Sequence, residues 1–138
     1  MSDLSSFLLT LTVIASGGVL PACSNSPTAP TKPVTITLAP GQVQVVGGLS
    51  IRFVGVTRDN RCPGDALCVQ AGDATVALAT TLGPQWSAFE LQLRSLAARS
   101  RVIGDYRVEL TELAPYPFLS LPPIKPADYR VSLTVSAN

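Results

Sequence analysis

The sequence predicts an all-β domain built as an antiparallel β-sandwich of seven or eight strands. It sits behind a signal peptide and a flexible tether. Three observations carry this expectation. Apolar and polar residues alternate with period two in run after run, the mark of half-buried strands. Glycine and proline turn signals separate the runs. No convincing amphipathic helix appears, and Leu96-Ala97-Ala98-Arg99 has room for one turn at most.

Length and composition narrow the reading. The chain has 138 residues, enough for one domain. A net charge of +1 gives no electrostatic case for nucleic acid or for a strongly acidic partner. Histidine is absent, which removes the commonest general base and the commonest metal ligand.

Residues 1–22 read as a leader. Phe7-Leu8-Leu9-Thr10-Leu11-Thr12-Val13-Ile14-Ala15-Ser16 is an apolar run broken by Gly17-Gly18. It is shorter than the roughly 20 apolar residues a spanning helix needs, and it suits the h-region of a secretory signal. Leu20-Pro21-Ala22-Cys23 resembles a bacterial lipobox, with Leu at −3, a small residue at −1 and then the cysteine that takes the lipid. Two features depart from that pattern: Pro21 at −2, and an amino-terminal region with Asp3 and no Lys or Arg. The resemblance implies a lipidated Cys23, and several acyl chains on one residue hold a protein stably to a membrane. Ser24 after the cysteine leans towards the outer membrane in a double-membraned bacterium. Plain secretion is the alternative.

Residues 23–33 form the lipidated cysteine and its tether. Ser24-Asn25-Ser26-Pro27-Thr28-Ala29-Pro30-Thr31-Lys32-Pro33 is polar and proline-rich, without periodicity. Such a composition makes a spacer.

Residues 34–138 are the domain. Val34, Ile36 and Leu38 alternate with Thr35 and Thr37. Val43 and Val45 alternate with Gln42 and Gln44, so the two valines are the expected inward face. Leu49, Ile51 and Phe53 follow, then Val76, Leu78 and Leu82, then Phe89, Leu91 and Leu93. Tyr106, Val108 and Leu110 mark a sixth run, and Tyr129, Val131, Leu133 and Val135 a seventh. Gly47-Gly48 is a two-residue hairpin signal. Val46-Gly47-Gly48-Leu49 is echoed by Ile103-Gly104-Asp105-Tyr106, a pattern that a duplication or any pair of hairpins would leave. Each strand offers one apolar face, as two packed sheets require. The layering is immunoglobulin-like in the broad sense, and a small closed barrel is the alternative. About three large side chains per strand, at roughly 1.5–3 kcal/mol each, make a core of ordinary size.

One stretch departs from this pattern. Residues 59–73 crowd Asp59, Asn60, Arg61, Cys62, Pro63, Gly64, Asp65, Cys68, Gly72 and Asp73. Cys62 and Cys68 enclose five residues that include Pro63-Gly64, a turn able to bring their α-carbons within reach of a disulfide. An exported protein meets an oxidising compartment. A loop of this size contributes about 2.4 kcal/mol on the chain-entropy account. Zinc needs four ligands, and a thiol oxidoreductase shows C-x-x-C; neither pattern is present. Calcium ligation by Asp59, Asn60, Asp65 and Asp73 is the alternative to ordinary turn and capping hydrogen bonds, with Arg61 pairing an acid. The expectation is a disulfide clasp with no metal and no cofactor, its ends pinned by Asp59, Arg61 and Asp73.

The run Asp59-x-Arg61-Cys62-Pro63-x4-Cys68-x3-Gly72, with strands on both sides, resembles a signature of small bacterial exported proteins, many of them lipoproteins of uncharacterised role. The later Tyr106-Arg107-Val108-Glu109-Leu110, Pro115-Tyr116-Pro117 and Tyr129-Arg130-Val131 extend the resemblance over most of residues 49–135. Asn60 stands where that signature has Ser, and Gln70 where it has Trp. The resemblance implies fold and location and brings no activity.

Trp86 is expected as a core or edge plug, with an exposed binding platform as the alternative. Residues 115–126, proline-rich with Tyr116 and Phe118, are expected as a crossover between sheets or a recognition loop. A Ser-His-Asp arrangement is impossible without histidine, and Lys32 and Lys125 are poorly placed for a Ser-Lys pair. The leading expectation is therefore a non-catalytic envelope lipoprotein. It is monomeric, anchored in the membrane by lipid, and carries a structural or interaction domain for a protein partner in the envelope. The alternative is an inhibitor or ligand-binding module that uses the Cys62–Cys68 loop, with Asp59, Arg61, Asp65 and Asp73 as its interaction residues. A hydrolase using carboxylates is a distant third.

Overall fold

A computed structural model describes Gly18 and residues 28–138. The rest of the leader, Cys23 and the first part of the tether lie outside the described residues. Ala29, within the stretch read as tether, packs against the core.

The domain is a two-sheet antiparallel sandwich. Its strands are β1 (Val34–Leu38), β2 (Val43–Val46), β3 (Leu49–Asp59), β4 (Ala74–Leu82), β5 (Gln85–Gln92), β6 (Ser100–Ile103), β7 (Tyr106–Ala114) and β8 (Arg130–Ala137). One sheet has the order β1-β8-β7-β6 and the other β2-β3-β4-β5. Each sheet is a meander, and the first strand closes one of them beside the last. The alternating residues of the two inner faces meet in one core that includes Leu49, Ile51, Phe53, Val76, Leu78, Leu91, Tyr106, Val108, Leu110, Val131, Leu133 and Val135. The sequence runs for seven of the strands are present; β6, only four residues long, has too little alternation to register alone.

Three expectations are corrected. Val43 and Val45 face solvent, while Val46 is buried. The Gly47-Gly48 turn pairs Val46 with Leu49, Val45 with Ser50 and Val43 with Arg52. That register puts Val46 on Leu49's inward face and the two valines on the opposite one. Residues 115–126 connect β7 to its neighbour β8 in the same sheet, so they form a long hairpin connection and not a crossover between sheets. Trp86 is 69% exposed on edge strand β5 and plugs nothing.

The sandwich has two distinct ends. At the turn pole lie the β2–β3, β4–β5 and β6–β7 hairpins, closed at Gly47-Gly48, Gly83-Pro84 and Gly104-Asp105. The echoed sequence pair forms two equivalent hairpins here, with Gly47 at φ 61° and Gly104 at φ 57°, left-handed geometry that suits glycine. Tyr106 Oη accepts a hydrogen bond from Gly48 N at 2.8 Å. A side chain on Gly47 would collide with Tyr106 Oη and the Thr28 carbonyl. The chain therefore enters the domain at the turn pole. At the opposite end, the clasp pole, lie residues 60–73 between β3 and β4, 93–99 between β5 and β6, and 115–129 between β7 and β8.

Candidate functional site

The clasp grows out of the β3–β4 pair. Where the ladder ends, backbone bonds continue it: Asn60 N donates to Asp73 O at 2.7 Å and Cys62 N to Ala71 O at 2.9 Å. Gly72, at φ 68°, passes so close to the Asn60 carbonyl that no Cβ fits. Cys62 and Cys68 form the disulfide, with their α-carbons 6.0 Å apart.

Arg61 is the buried centre of this end of the molecule, 5% exposed. Its Nε and Nη2 donate to Asp59 Oδ1 and Oδ2 at 2.8 and 2.7 Å. Nη1 donates to Leu113 O at 2.7 Å and Nη2 also to Pro115 O at 3.0 Å. The guanidinium carbon lies 5.2 Å from the centre of the Tyr116 ring. A planar fork of five donors can grip both oxygens of a carboxylate and two carbonyls at once, four acceptors where an ammonium has three donors. Tyr129 Oη donates to Asp59 Oδ2 at 2.9 Å. Asp59 thus accepts on both oxygens. Burial pulls its carboxyl upward, but the bonds from Arg61 and Tyr129 prevail and hold it below the usual carboxylate range. Tyr129 is pushed up to about 12, first by burial and then by the Asp59 carboxylate it donates to.

A second set of bonds rivets the clasp to residues 115–126. Gly64 N donates to Pro117 O at 2.9 Å, and Gly64 lies so close under the Phe118 ring that a side chain there would strike it. Tyr116 Oη donates to Cys62 O at 2.9 Å. Asp65 accepts from the amides of Leu119 and Ser120 at 2.6 and 2.8 Å. The Leu119 amide is the main cause of its lowered carboxyl pKa. Asp73 instead holds the base: its Oδ1 accepts from Ala74 N at 2.7 Å and from Arg94 N at 2.9 Å.

The four polar residues singled out in the sequence therefore do three different jobs. Asp59 and Arg61 form one buried pair. Asp65 ties the clasp to the proline-rich connection. Asp73 ties it to the 93–99 loop. Asp65 reaches across the fold to Leu119 and Ser120, well beyond the local turn bond that its position suggested. Among the described residues, no group of three or more His, Cys, Asp or Glu could share a metal ion.

Several large apolar side chains stand exposed at this pole. Leu67 and Val69, on either side of Cys68, are fully exposed, and Leu96, Leu119 and Leu121 are each at least 60% exposed. Beside them opens a cleft of about 580 Å³. Pro117, Phe118, Leu121 and Ile124 wall it, Arg61 and Tyr129 line it, and Lys125 and Asp128 are its charged residues away from the buried pair. Tyr116 and Phe118 stand edge to face there, with ring centres 6.0 Å apart. The sequence reading missed Leu67 and Val69, although apolar residues on both sides of a loop cysteine are a signal. It also missed Tyr129, placed among the β8 core residues, whose hydroxyl reaches Asp59 from 70 residues away.

Compared with protein-family models, curated proteins and solved structures, the chain matches none.

Proposed function

We propose that the protein is a non-catalytic cell-envelope lipoprotein, held to the membrane through Cys23, whose clasp pole is a preformed surface for a protein partner. One observation carries the reading. Leu67 and Val69 project fully into solvent from a loop whose base is fixed by a disulfide and by hydrogen bonds to two other loops. A soluble surface holds few large apolar side chains without a use for them when they cluster. A rigid scaffold beneath them lowers the entropy cost of binding.

A non-catalytic role is supported by the state of the acids. Asp59 is saturated with donors and held ionised, so it has neither a proton to give nor a free lone pair directed at a substrate. Asp65 and Asp73 each accept two backbone amides. Membership among the small exported proteins that the clasp signature resembles is part of the same proposal. It is supported by the way Asp59, Arg61, Cys62, Tyr116 and Tyr129 bond to one another. An inhibitor that inserts the clasp into a partner's cleft is the second reading, favoured by the same convex pair of side chains.

The test is capture from envelope extract by the full protein and by its Leu67→Ser/Val69→Ser variant, which touches no fold contact. The proposal expects a partner retained by the first and lost by the second. Equal capture by both, or none by either, overturns the clasp pole as the binding surface.

A further inference from the structure

The two outer faces of the sandwich differ in chemistry. On the β1-β8-β7-β6 sheet, the outward positions include Thr35, Thr37, Arg107, Glu109, Ser132 and Thr134. Thr35 and Thr134 sit opposite each other across β1 and β8, as do Glu109 and Thr134 across β7 and β8. On the β2-β3-β4-β5 sheet, the register aligns Val45, Ser50, Thr81 and Trp86 in one outward row, and Val43, Arg52, Ala79 and Ala88 in the next. Arg52 is the one charge in these eight positions. Val43, Val45 and Trp86 are each more than half exposed.

This apolar band lies at the turn pole, and so does the chain's entry. The Thr28 carbonyl packs against Gly47, two residues from Val45. Four residues lie between Cys23 and Thr28, and the five steps from one to the other, at 3.3–3.6 Å each, span at most about 18 Å. A lipid on Cys23 therefore holds the turn pole within about 18 Å of the bilayer. The clasp pole lies farther off along the 11 residues of β3, on the order of 30 Å at the rise of a strand.

We infer that the outward face of the β2-β3-β4-β5 sheet at the turn pole rests on the lipid surface. Trp86 and Val45 sit at headgroup level, and the clasp pole is directed away from the membrane. This rests on the proposed anchoring at Cys23. The chemistry fits a bilayer. An indole with an apolar body and one N–H belongs at the membrane–water boundary, and Arg52 behind it suits a headgroup phosphate. The tether makes this second contact intramolecular, so a patch too small to bind lipid alone is engaged whenever the anchor is in place.

Trp86 is the sole tryptophan, so its fluorescence reports this contact alone. The experiment uses the full lipidated protein in vesicles of phosphatidylethanolamine and phosphatidylglycerol, with and without lipids brominated near the glycerol end. Expected are a blue shift of Trp86 emission relative to soluble Cys23→Ser protein, loss of emission with brominated lipid, and protection from acrylamide. Protein that floats with the vesicles yet keeps the emission of the Cys23→Ser form and escapes quenching overturns this orientation and leaves the anchor standing. An unmodified Cys23 with no flotation overturns both. A Trp86→Phe/Leu67→Trp variant places the reporter on the clasp pole, where it is expected to stay in water. Quenching there as strong as at Trp86 also overturns the inference.

Discussion

Arg61 and Asp59, two residues apart in the chain, face each other as a bidentate pair, Nε to Oδ1 at 2.8 Å and Nη2 to Oδ2 at 2.7 Å. Their side chains are only 2% and 12% exposed. Removing one partner of a buried pair leaves the other charge uncompensated, at a cost of about 3–5 kcal/mol. Arg61→Ala also strands the Leu113 and Pro115 carbonyls. Urea unfolding of Arg61→Ala is expected to show a loss in that range, and Arg61→Lys is expected to recover little of it. A loss under about 1 kcal/mol, the level of an exposed ion pair, would show that the guanidinium is not the post on which this pole is built.

The same network sets the response to pH. Tyr129 has a folded pKa of about 12 against an ordinary 10. Its contribution to stability is complete below pH 10 and is lost as pH rises through 12. Asp59 is shifted the other way. Its contribution is complete above the ordinary value of 3.8 and fades as pH falls below it. Ultraviolet titration is expected to show a phenol that ionises near pH 12 in the native protein and is missing from Tyr129→Phe. A late step of the same size in the variant would assign it to another tyrosine.

The disulfide staples a loop that lies outside the core. Cys62→Ser with Cys68→Ser is expected to cost about 2 kcal/mol while the far-ultraviolet spectrum keeps its β character. The proposed partner surface is expected to suffer more than the fold, because the loop that carries Leu67 and Val69 is no longer closed by a disulfide. A variant that no longer folds would mean that the clasp carries part of the core.

Thr80 sits at 1% exposure on β4, and its hydroxyl has no hydrogen-bond partner among the described residues. A buried hydroxyl left unpaired costs about 1–3 kcal/mol. Thr80→Val keeps the branched shape and removes that cost, so it is expected to stabilise the domain by about 1 kcal/mol. Destabilisation of similar size in thermal or urea unfolding would show that the hydroxyl is satisfied.

Much of the fold was legible because period-two alternation survives wherever one face is buried and the other is wet. Leu49, Ile51 and Phe53 show it, as do Tyr106, Val108 and Leu110. It misled at β2, an edge strand with little to bury, where Val43 and Val45 alternate as cleanly as a core face. There the register came from the Gly47-Gly48 turn and the stronger pattern of β3. At the site, the disulfide followed from local spacing, and Asp59 with Arg61 from proximity in sequence. The long-range partners did not follow, since Tyr129, Leu113, Leu119 and Ser120 lie more than 50 residues along the chain and reach the clasp only through the packing of the two sheets. Trp86 reads the same in sequence whether it faces in or out.

Intact mass of the mature protein from a bacterial host reads the anchor at Cys23 and the clasp closed by Cys62 and Cys68 in one measurement. Expected is a chain that has lost residues 1–22, carries acyl mass on Cys23, and is two hydrogens lighter than its reduced form. A mature chain with Cys23 absent or unmodified would contradict the anchor, and two free thiols in the domain would contradict the clasp.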